Sequence, residues 1–321
     1  MADIILETKN LKKYFATRTG PLRAVDDVSL QIERGKTLGI VGESGCGKSM
    51  TALALMGLLP ENARVEGGEV RLNGASLTKM SERELCAVRG KHLGMIFQEP
   101  MTCLNPVLTI GRQITEAVLQ HEKISSNAAR EKAVALLTSV GFPAPAERLG
   151  DYPHQLSGGL RQRVMIAMAL ACSPEFLIAD EPTTALDVTI QGQILALLKK
   201  LAKERDMGLV LITHDIGVVS DMADQIAVMY AGEIVEQAPR DDFFARPLHP
   251  YAQGLLACLP DIERIEHRKR LPTIPGTVPP PAARGTGCLF RDRCVRSQPC
   301  CSLPVPFHDA GEGHIVFCHL Y

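Results

Sequence analysis

The sequence predicts an α/β fold, with a core of alternating strands and helices, an inserted helical subdomain and a small C-terminal domain. Short apolar runs typical of buried strands, at 38–41, 176–179 and 209–213, alternate with stretches of helical length and periodicity. Residues 105–171 carry helical patterns throughout. Residues 271–281 hold five prolines in eleven positions, which is typical of an extended linker rather than of core.

The elements are predicted one by one along the chain. Alternating Val28, Leu30 and Ile32 indicate a strand, and the predicted strands lie at 26–35, 38–41, 95–97, 176–179, 209–213 and 226–230. Helices are predicted at 50–59, 110–120, 128–140, 158–171 and 188–204. Because strands and helices alternate, we expect the core sheet to be parallel.

Composition and charge exclude several classes of protein. Hydrophobic residues make up 45% and charged residues 22%, so the chain can bury a core. Lys and Arg number 35 against 36 Asp and Glu, and Trp is absent, so we expect no nucleic-acid partner. The most apolar tract, Met165–Ala179, is interrupted at 173–175, and the N-terminus has acids at Asp3 and Glu7. We therefore expect neither a membrane span nor a secretory signal, and a cytosolic location.

A glycine-rich segment after the strand at 38–41 matches the motif G-x-x-x-x-G-K-[ST]. Its residues are Gly42, Glu43, Ser44, Gly45, Cys46, Gly47, Lys48 and Ser49. Such a loop turns its N–H groups toward phosphate oxygens, and the helix that follows adds its positive end. Lys48 is expected on the β- and γ-phosphates and the Ser49 hydroxyl on Mg²⁺, so the motif predicts a nucleotide-binding P-loop of the NTPase type.

Two acids follow the buried strand at 176–179. The carboxyl ends of parallel strands are where ligands bind in such sheets. We expect Asp180 to hold Mg²⁺ through water and Glu181 to orient and polarise the attacking water.

Further motifs lie between the phosphate loop and the paired acids, and after them. They are Gln98, Leu156–Gln162 (LSGGLRQ), Ala185–Asp187 and His214. With the phosphate loop and the paired acids, this set resembles the ATPase subunits of ABC transporters. The resemblance implies a RecA-like core at 1–100 and 174–235, a helical signature subdomain at 101–173, and a C-terminal domain at 236–321.

The resemblance also implies roles for single residues. Tyr14, or its neighbour Phe15, would stack on adenine, and Gln98 would touch Mg²⁺ and the attacking water. His214 would sense the γ-phosphate. Four residues are expected to act across a dimer. Ser157, Gly158 and Gly159 would contact ATP bound by the opposite subunit, and Asp187 would bridge the two sites. Leu160 stands where the family usually has glutamine.

A narrower resemblance, to dipeptide and oligopeptide importer ATPases, rests on four segments: Gln98–Pro106, Tyr152–Ser157, Asp180–Val188 and His249–Tyr251. It implies a second, different ATPase subunit, two membrane permease subunits, an extracytoplasmic solute-binding protein, and a peripheral position on the cytoplasmic face of the inner membrane. Nickel and glutathione importers share much of the pattern. A soluble ABC ATPase acting on nucleic acid or ribosomes is the alternative from another class.

Five of the ten cysteines lie in the last 34 residues. Four of them have the spacing C-x5-C-x6-C-x16-C, namely Cys288, Cys294, Cys301 and Cys318. Four thiolates suit Zn²⁺ or an iron–sulfur cluster, and reduced cysteines without a metal are the alternative. The pattern resembles that of peptide-importer ATPases, which implies a [4Fe–4S] cluster, with Cys300 as an extra neighbour.

Overall fold

The computed structural model describes residues 3–17, 20–60, 63–259 and 272–321. The chain divides into two units, each assembled from separate stretches of sequence. Unit 1 comprises Met1–Leu6, Ile32–Lys36 and Leu72–Val210, and unit 2 comprises Glu7–Gln31, Thr37–Arg71 and Leu211–Tyr321. These units are divided differently from the three segments implied by the resemblance, so those segment boundaries stay a prediction.

The strands, in chain order, are β1 Ile4–Thr17, β2 Gly20–Glu33, β3 Thr37–Val41, β4 Ala63–Leu72, β5 Ala75–Ser76, β6 Leu93–Ile96, β7 Phe176–Asp180, β8 Gly208–Thr213, β9 Gln225–Tyr230, β10 Glu233–Pro239, β11 Phe307–Asp309 and β12 Ile315–Phe317. The helices are α1 Lys48–Met56, α2 Glu82–Val88, α3 Pro100–Cys103, α4 Ile110–His121, α5 Ser126–Ser139, α6 Pro145–Arg148, α7 Gly158–Ala169, α8 Val188–Glu204, α9 Ile216–Met222, α10 Arg240–Ala245 and α11 Pro250–Ala257.

In unit 2 the strands of the larger sheet are hydrogen-bonded in the order β11-β12-β10-β9-β3. β3 and β9 are parallel, with Gly39 opposite Ile226, and both strands are buried almost throughout. β9 and β10 form an antiparallel hairpin around Ala231 and Gly232, whose positive φ angles of 50° and 91° suit a tight two-residue turn. The C-terminal strands β11 and β12 then add to the free edge of β10.

In unit 1 the strands β8, β7 and β6 are neighbours in that order, and β8 continues into unit 2 at residue 211. β6 and β7 are parallel, with Met95 opposite Ile178, and every residue of both is buried. This explains their continuous apolar sequences, because parallel strands are covered on both faces. Helix α7 packs against α3, α4 and α5, which forms the predicted helical block.

Side chains at the helix starts explain several boundaries. The hydroxyls of Thr109 and Ser125 accept backbone N–H bonds at the N-termini of α4 and α5, and the carboxylate of Asp187 does so for α8. Within the described ranges, none of the helices has the length and apolar character needed to cross a membrane.

The α/β class and the order of the central elements are confirmed, whereas the sequence patterns missed several strands. β1, β4, β5 and β10 to β12 were not predicted, and β2 begins six residues before the predicted strand. Residue 271, the first residue of the predicted linker, lies outside the described residues. The described part of this linker, residues 272–281, is not purely solvent-exposed, because Ile274 and Val278 pack against the core cluster around Tyr230 and Phe290.

Candidate functional site

The phosphate loop lies in unit 2 between the buried strand β3 and helix α1. Gly47 has a φ of 113°, and a Cβ atom there would lie 2.9 Å from the Ala24 carbonyl oxygen, so the turn into α1 requires glycine. The N-terminus of α1 has no side-chain cap and no acidic residue in its first turn. Gly45 has open space where a Cβ would point. The N–H groups and the helix dipole can therefore receive an anion, which fits a nucleotide phosphate.

The Lys48 ammonium is buried against the loop, with 5% of the residue exposed. Its Nζ donates to the carbonyl oxygens of Gly42 and Glu43, at 2.7 and 3.1 Å. Burial raises the pKa of the Cys46 thiol, so this loop residue is neutral at physiological pH. Lys48 is therefore the positive side chain of the loop, and the loop's own carbonyl groups hold it in place.

Two residues far away in sequence contact the loop at Glu43, and the sequence patterns did not identify either contact. The Glu43 backbone N–H donates to the hydroxyl of Tyr251 at 2.8 Å, and the Glu43 carboxylate accepts two hydrogen bonds from Arg293. Tyr251 belongs to the His249–Tyr251 motif, which indicated the peptide-importer resemblance but did not predict this contact. Arg293 had no signal in the sequence, because it lies 250 residues from Glu43.

The paired acids lie in unit 1 at the C-terminal end of β7. Asp180 ends the strand and is 4% exposed. Glu181 has a φ of 44°, a left-handed conformation that costs a non-glycine residue about 1 kcal/mol. Its carboxylate accepts bonds from Gln98 Nε2 at 3.1 Å and from Thr184 Oγ1 at 3.0 Å. The structure thus brings Gln98 and Glu181 together, and it adds Thr184, for which the sequence motifs predict no role.

The Ser157–Gly159 turn, which opens α7, also lies in unit 1. Ser157 occupies the N-cap position, yet its side chain makes no capping hydrogen bond, unlike Thr109 and Ser125. A Cβ atom on Gly159 would lie 2.8 Å from Ile190 Cγ2 of α8, so this glycine allows the turn to approach that helix closely. The turn therefore presents an exposed helix N-terminus whose serine is not used for capping.

Three other predicted site residues are placed as follows. Asp187 caps α8 by accepting the Ile190 N–H at 3.0 Å. The Tyr14 hydroxyl donates to Asp26 at 2.6 Å, and burial together with this bond raises the pKa of Tyr14 above its usual value. His214 is exposed between β8 and α9. Their roles toward nucleotide stay predictions, as do those of Ser49 and Asp180 toward Mg²⁺.

The cysteine pattern does not form a metal site in this structure. Among residues 3–17, 20–60, 63–259 and 272–321, no three or more His, Cys, Asp or Glu side chains form a group that could hold a metal ion. Burial raises the pKa of the Cys288 thiol to about 11, and the nearby Cys318, Cys301 and Cys294 add to this rise. The expected [4Fe–4S] cluster is therefore not supported, although the four sulfurs are close enough to interact electrostatically.

Comparison with known proteins matches two parts of the chain to families. Residues 25–184 match the family described as ABC transporter, and residues 235–301 match the oligopeptide/dipeptide transporter C-terminal region. The oligopeptide transport ATP-binding protein AppD of Bacillus subtilis is 48% identical over 319 residues, covering 99% of this chain and 97% of AppD. The dipeptide transport ATP-binding protein DppD of the same organism is 47% identical, covering 98% of this chain and 94% of DppD.

Solved structures with the same fold are ATP-binding cassettes. The ATP-binding cassette MJ0796, in a dimeric post-hydrolysis state with ADP and Pi, has a TM-score of 0.67 and 30% identity, covering 74% of this chain and 99% of that one. The protein cbiO1 of Clostridium perfringens, part of the ABC transporter complex cbiONQ, has a TM-score of 0.66 and 25% identity, covering 83% of this chain and 98% of that one.

Proposed function

Because this chain belongs to the ABC transporter ATP-binding proteins of the oligopeptide and dipeptide group, we propose that it powers the import of dipeptides or oligopeptides by hydrolysing ATP. The observation that carries the proposal is the presence, in one chain, of a complete set of cassette motifs and the peptide-transporter C-terminal region. Relatives that match over almost their whole length are named for oligopeptides and dipeptides, which favours peptides over nickel or glutathione as cargo.

The cassette residues divide the work on ATP and Mg²⁺. The N–H groups of the loop and Lys48 bind the phosphates, while Ser49 and Asp180 hold Mg²⁺. Glu181 orients the attacking water. Its carboxylate is already held by Gln98 and Thr184, which supports this role because a fixed acceptor loses little entropy when water binds. Adenine stacks on Tyr14, and His214 senses the γ-phosphate.

Hydrolysis takes place in a head-to-tail pair of ATPase subunits. Ser157, Gly158 and Gly159 face ATP held by the partner's phosphate loop, and Asp187 links the two sites. The serine hydroxyl that is not used for capping and the dimeric state named for MJ0796 support this arrangement. The second subunit is a different ATPase of the same kind. ATP closes the pair and hydrolysis releases it, which couples the chemistry to transport.

Transport itself is carried out by other proteins. Two membrane permease subunits form the path, and an extracytoplasmic solute-binding protein delivers the peptide. This chain lies peripherally on the cytoplasmic face of the inner membrane, where ATP is available. Nucleic acid has no part in this function, in keeping with a formal net charge of −1.

Peptide uptake tests the function directly. A strain lacking this chain should take up a labelled peptide poorly, the wild-type chain should restore uptake, and Lys48→Ala should not. Uptake of nickel or glutathione that depends on this chain, with peptide uptake unaffected, would replace the proposed cargo. Copurification with ribosomes instead of a membrane permease would contradict a transport function.

We propose in addition that Cys288, Cys294, Cys301 and Cys318 hold a [4Fe–4S] cluster in the cell. The Cys288 N–H donates to the Cys301 carbonyl at 2.9 Å, so two of the four residues lie side by side, and a small, loop-rich segment needs a cross-link; both observations support the proposal. Protein purified without oxygen should contain iron and sulfide, and Cys288→Ser should lose both while Cys258→Ser keeps them. Zinc without sulfide would replace the cluster with a zinc site, and an absence of metal would refute both.

A further inference from the structure

The C-terminal extension, which is the domain predicted at 236–321, contacts the phosphate loop at Glu43, where Arg293 forms an ion pair with the carboxylate. Glu43 is the second residue of the loop, and its two carboxylate oxygens lie 2.6 Å from Arg293 Nη1 and 2.9 Å from Nη2. Two parallel hydrogen bonds fix the orientation of a carboxylate as well as its distance. The Arg293 side chain is only 7% exposed, so water and salt screen this pair less than an ordinary surface pair.

The Arg293 guanidinium is held in place by the extension and by β9. Its Nε donates to the Pro275 carbonyl at 2.6 Å and its Nη2 to the Gly276 carbonyl at 3.3 Å. The guanidinium carbon lies 5.7 Å and 5.8 Å from the ring centres of Tyr230 and Phe290. With so many fixed partners, Arg293 provides a rigid contact for the loop.

A second contact acts on the backbone of the same loop residue. The Tyr251 hydroxyl accepts the Glu43 N–H at 2.8 Å. Burial raises the pKa of Tyr251 above its usual value, so the hydroxyl stays neutral. His249 Nδ1 accepts the Tyr251 N–H at 3.1 Å, and burial lowers the pKa of His249 to about 3, which keeps this acceptor neutral as well. The His249–Tyr251 motif thus positions a hydroxyl against the loop.

Glu43 in turn contributes to the geometry of the rest of the loop. Its carbonyl oxygen accepts the Cys46 N–H at 3.2 Å and the Lys48 ammonium at 3.1 Å. A shift of Glu43 would therefore move both the central turn of the loop and the cation that meets the phosphates.

We propose that Arg293 is a positioning residue of the nucleotide site. By holding Glu43, it keeps the phosphate loop and Lys48 in the conformation that receives the triphosphate. The inference rests on the proposed ATP-dependent function and deepens it, because it makes the C-terminal extension part of the nucleotide-binding apparatus. It also connects the segment that carries Cys288, Cys294, Cys301 and Cys318 to the loop, because Cys294 follows Arg293 directly in the chain.

Nucleotide affinity of the full-length chain tests this role. Arg293→Ala should weaken binding of a non-hydrolysed ATP analogue about tenfold, and Arg293→Lys should weaken it less because lysine keeps the charge but loses the two-bond geometry. In hydrolysis assays KM should rise while kcat at saturating ATP stays unchanged, as expected when ground state and transition state lose the same contact. Arg296→Ala is the matched control, because its exposed side chain bonds to Gln253 and not to the loop.

A double-mutant cycle separates positioning from a general loss of structure. Glu43→Gln should weaken binding much as Arg293→Ala does, and the double variant should be no weaker than Arg293→Ala alone, because both substitutions remove one contact. Losses that add would overturn the inference. Unchanged affinity for the ATP analogue in both Glu43→Gln and Arg293→Lys would also overturn the inference. These two variants provide the test if Arg293→Ala does not fold.

The outcomes also separate this inference from the proposed function. Lys48→Ala serves as the reference for a damaged phosphate site. If wild-type protein does not bind the analogue, the ATP-dependent function itself is refuted. If wild type binds, Lys48→Ala does not, and Arg293→Ala equals wild type, the function stands and the positioning role of Arg293 is refuted.

Discussion

The phosphate loop and the cysteine-bearing tail, residues 285–321, belong to the same unit but are stabilised in different ways. The loop motif is eight consecutive residues that follow a buried strand and end in the first turn of α1, and its lysine bonds to the carbonyl groups of the motif. The tail has two strands of three residues each, β11 and β12; Val316 and Cys318 pack against Leu248, and Phe290 packs in the cluster around Tyr230. Phe307 and Val295 of the tail are 59% and 90% exposed.

The difference shows that the turn of the loop is set by consecutive residues, with Tyr251 and Arg293 holding it at Glu43, whereas the tail depends on packing and polar contacts with residues distant in sequence. One such contact is the buried Glu236 carboxylate of β10, which accepts the Leu248 and His249 N–H groups and lies 2.8 Å from His314 Nε2 in the tail. Substitutions among the cassette motifs should therefore change ATP chemistry, and substitutions at the tail anchors should change stability. The four predictions below test this contrast.

The largest effect is expected at Glu181. Glu181→Gln should lower ATP hydrolysis by two or more orders of magnitude, because a carboxamide keeps the shape of the side chain but cannot polarise the attacking water. ATP affinity should be retained and an ATP-dependent dimer should accumulate. Hydrolysis in the assembled transporter measures this, with Glu204→Gln, an exposed glutamate of α8, as control. Hydrolysis at the wild-type rate would show that Glu181 has another role.

The next effect is expected at the turn that opens α7. Ser157→Arg should abolish ATP-driven dimerisation while the subunit alone still binds ATP, because in the proposed dimer the new side chain would occupy the place of the γ-phosphate of ATP bound by the partner. Size-exclusion chromatography in the presence of ATP measures dimerisation, with Ser157→Arg introduced into the hydrolysis-deficient Glu181→Gln variant. Ser126→Arg, at the exposed start of α5, is the control. Normal dimerisation of Ser157→Arg would mean that the turn only begins a helix.

A smaller effect is expected at the tail anchor. Glu236→Gln keeps the size of the side chain but directs an NH2 group at N–H donors, which should lower the free energy of unfolding by about 2 kcal/mol. Denaturant unfolding measures the change, and limited proteolysis should show earlier cleavage of the tail. Glu312→Gln, in the exposed turn before β12, should leave both unchanged. A tail as resistant as wild type would show that this anchor is dispensable.

The smallest effect concerns pH. Burial lowers the pKa of His249 from 6.5 to about 3, so the unfolded chain binds a proton that the folded chain excludes at pH values between these two. Stability from this residue is complete above about pH 6.5 and is lost as the pH falls, by about 1.4 kcal/mol at pH 5.5. His249→Asn, which can still cap α11, should flatten the unfolding free energy between pH 7 and 5.5. An unchanged pH dependence would mean that His249 is not the group responsible.

Much of the fold and of the cassette site could be predicted because it depends on neighbours in sequence. The apolar run at 176–179 is β7, and the loop motif ends where α1 begins at Lys48. Asp187 precedes α8 and caps it. The adjacent acids at the end of β7 indicated a reactive carboxylate, and the structure places Gln98 on it.

The missed elements depend on distant partners instead. β11 and β12 are too short to show a periodic pattern, and they form because β10 offers an edge with which β12 can pair. Ile274 and Val278 lie in a proline-rich stretch that is typical of a linker, yet the cluster around Tyr230 gives them an apolar surface to cover. The tail cysteines carry a spacing pattern, but the described side chains do not form a metal-binding group.

By itself, the sequence determined the α/β class, the phosphate loop, the paired acids and the signature turn, because each is encoded by a short run of residues whose backbone geometry is local. Only the tertiary structure decided that Gln98 contacts Glu181, and that Tyr251 and Arg293 hold Glu43. The physical reason is that a hydrogen bond between side chains 250 residues apart leaves no periodicity or motif in the chain. It exists only once folding has brought its two ends together.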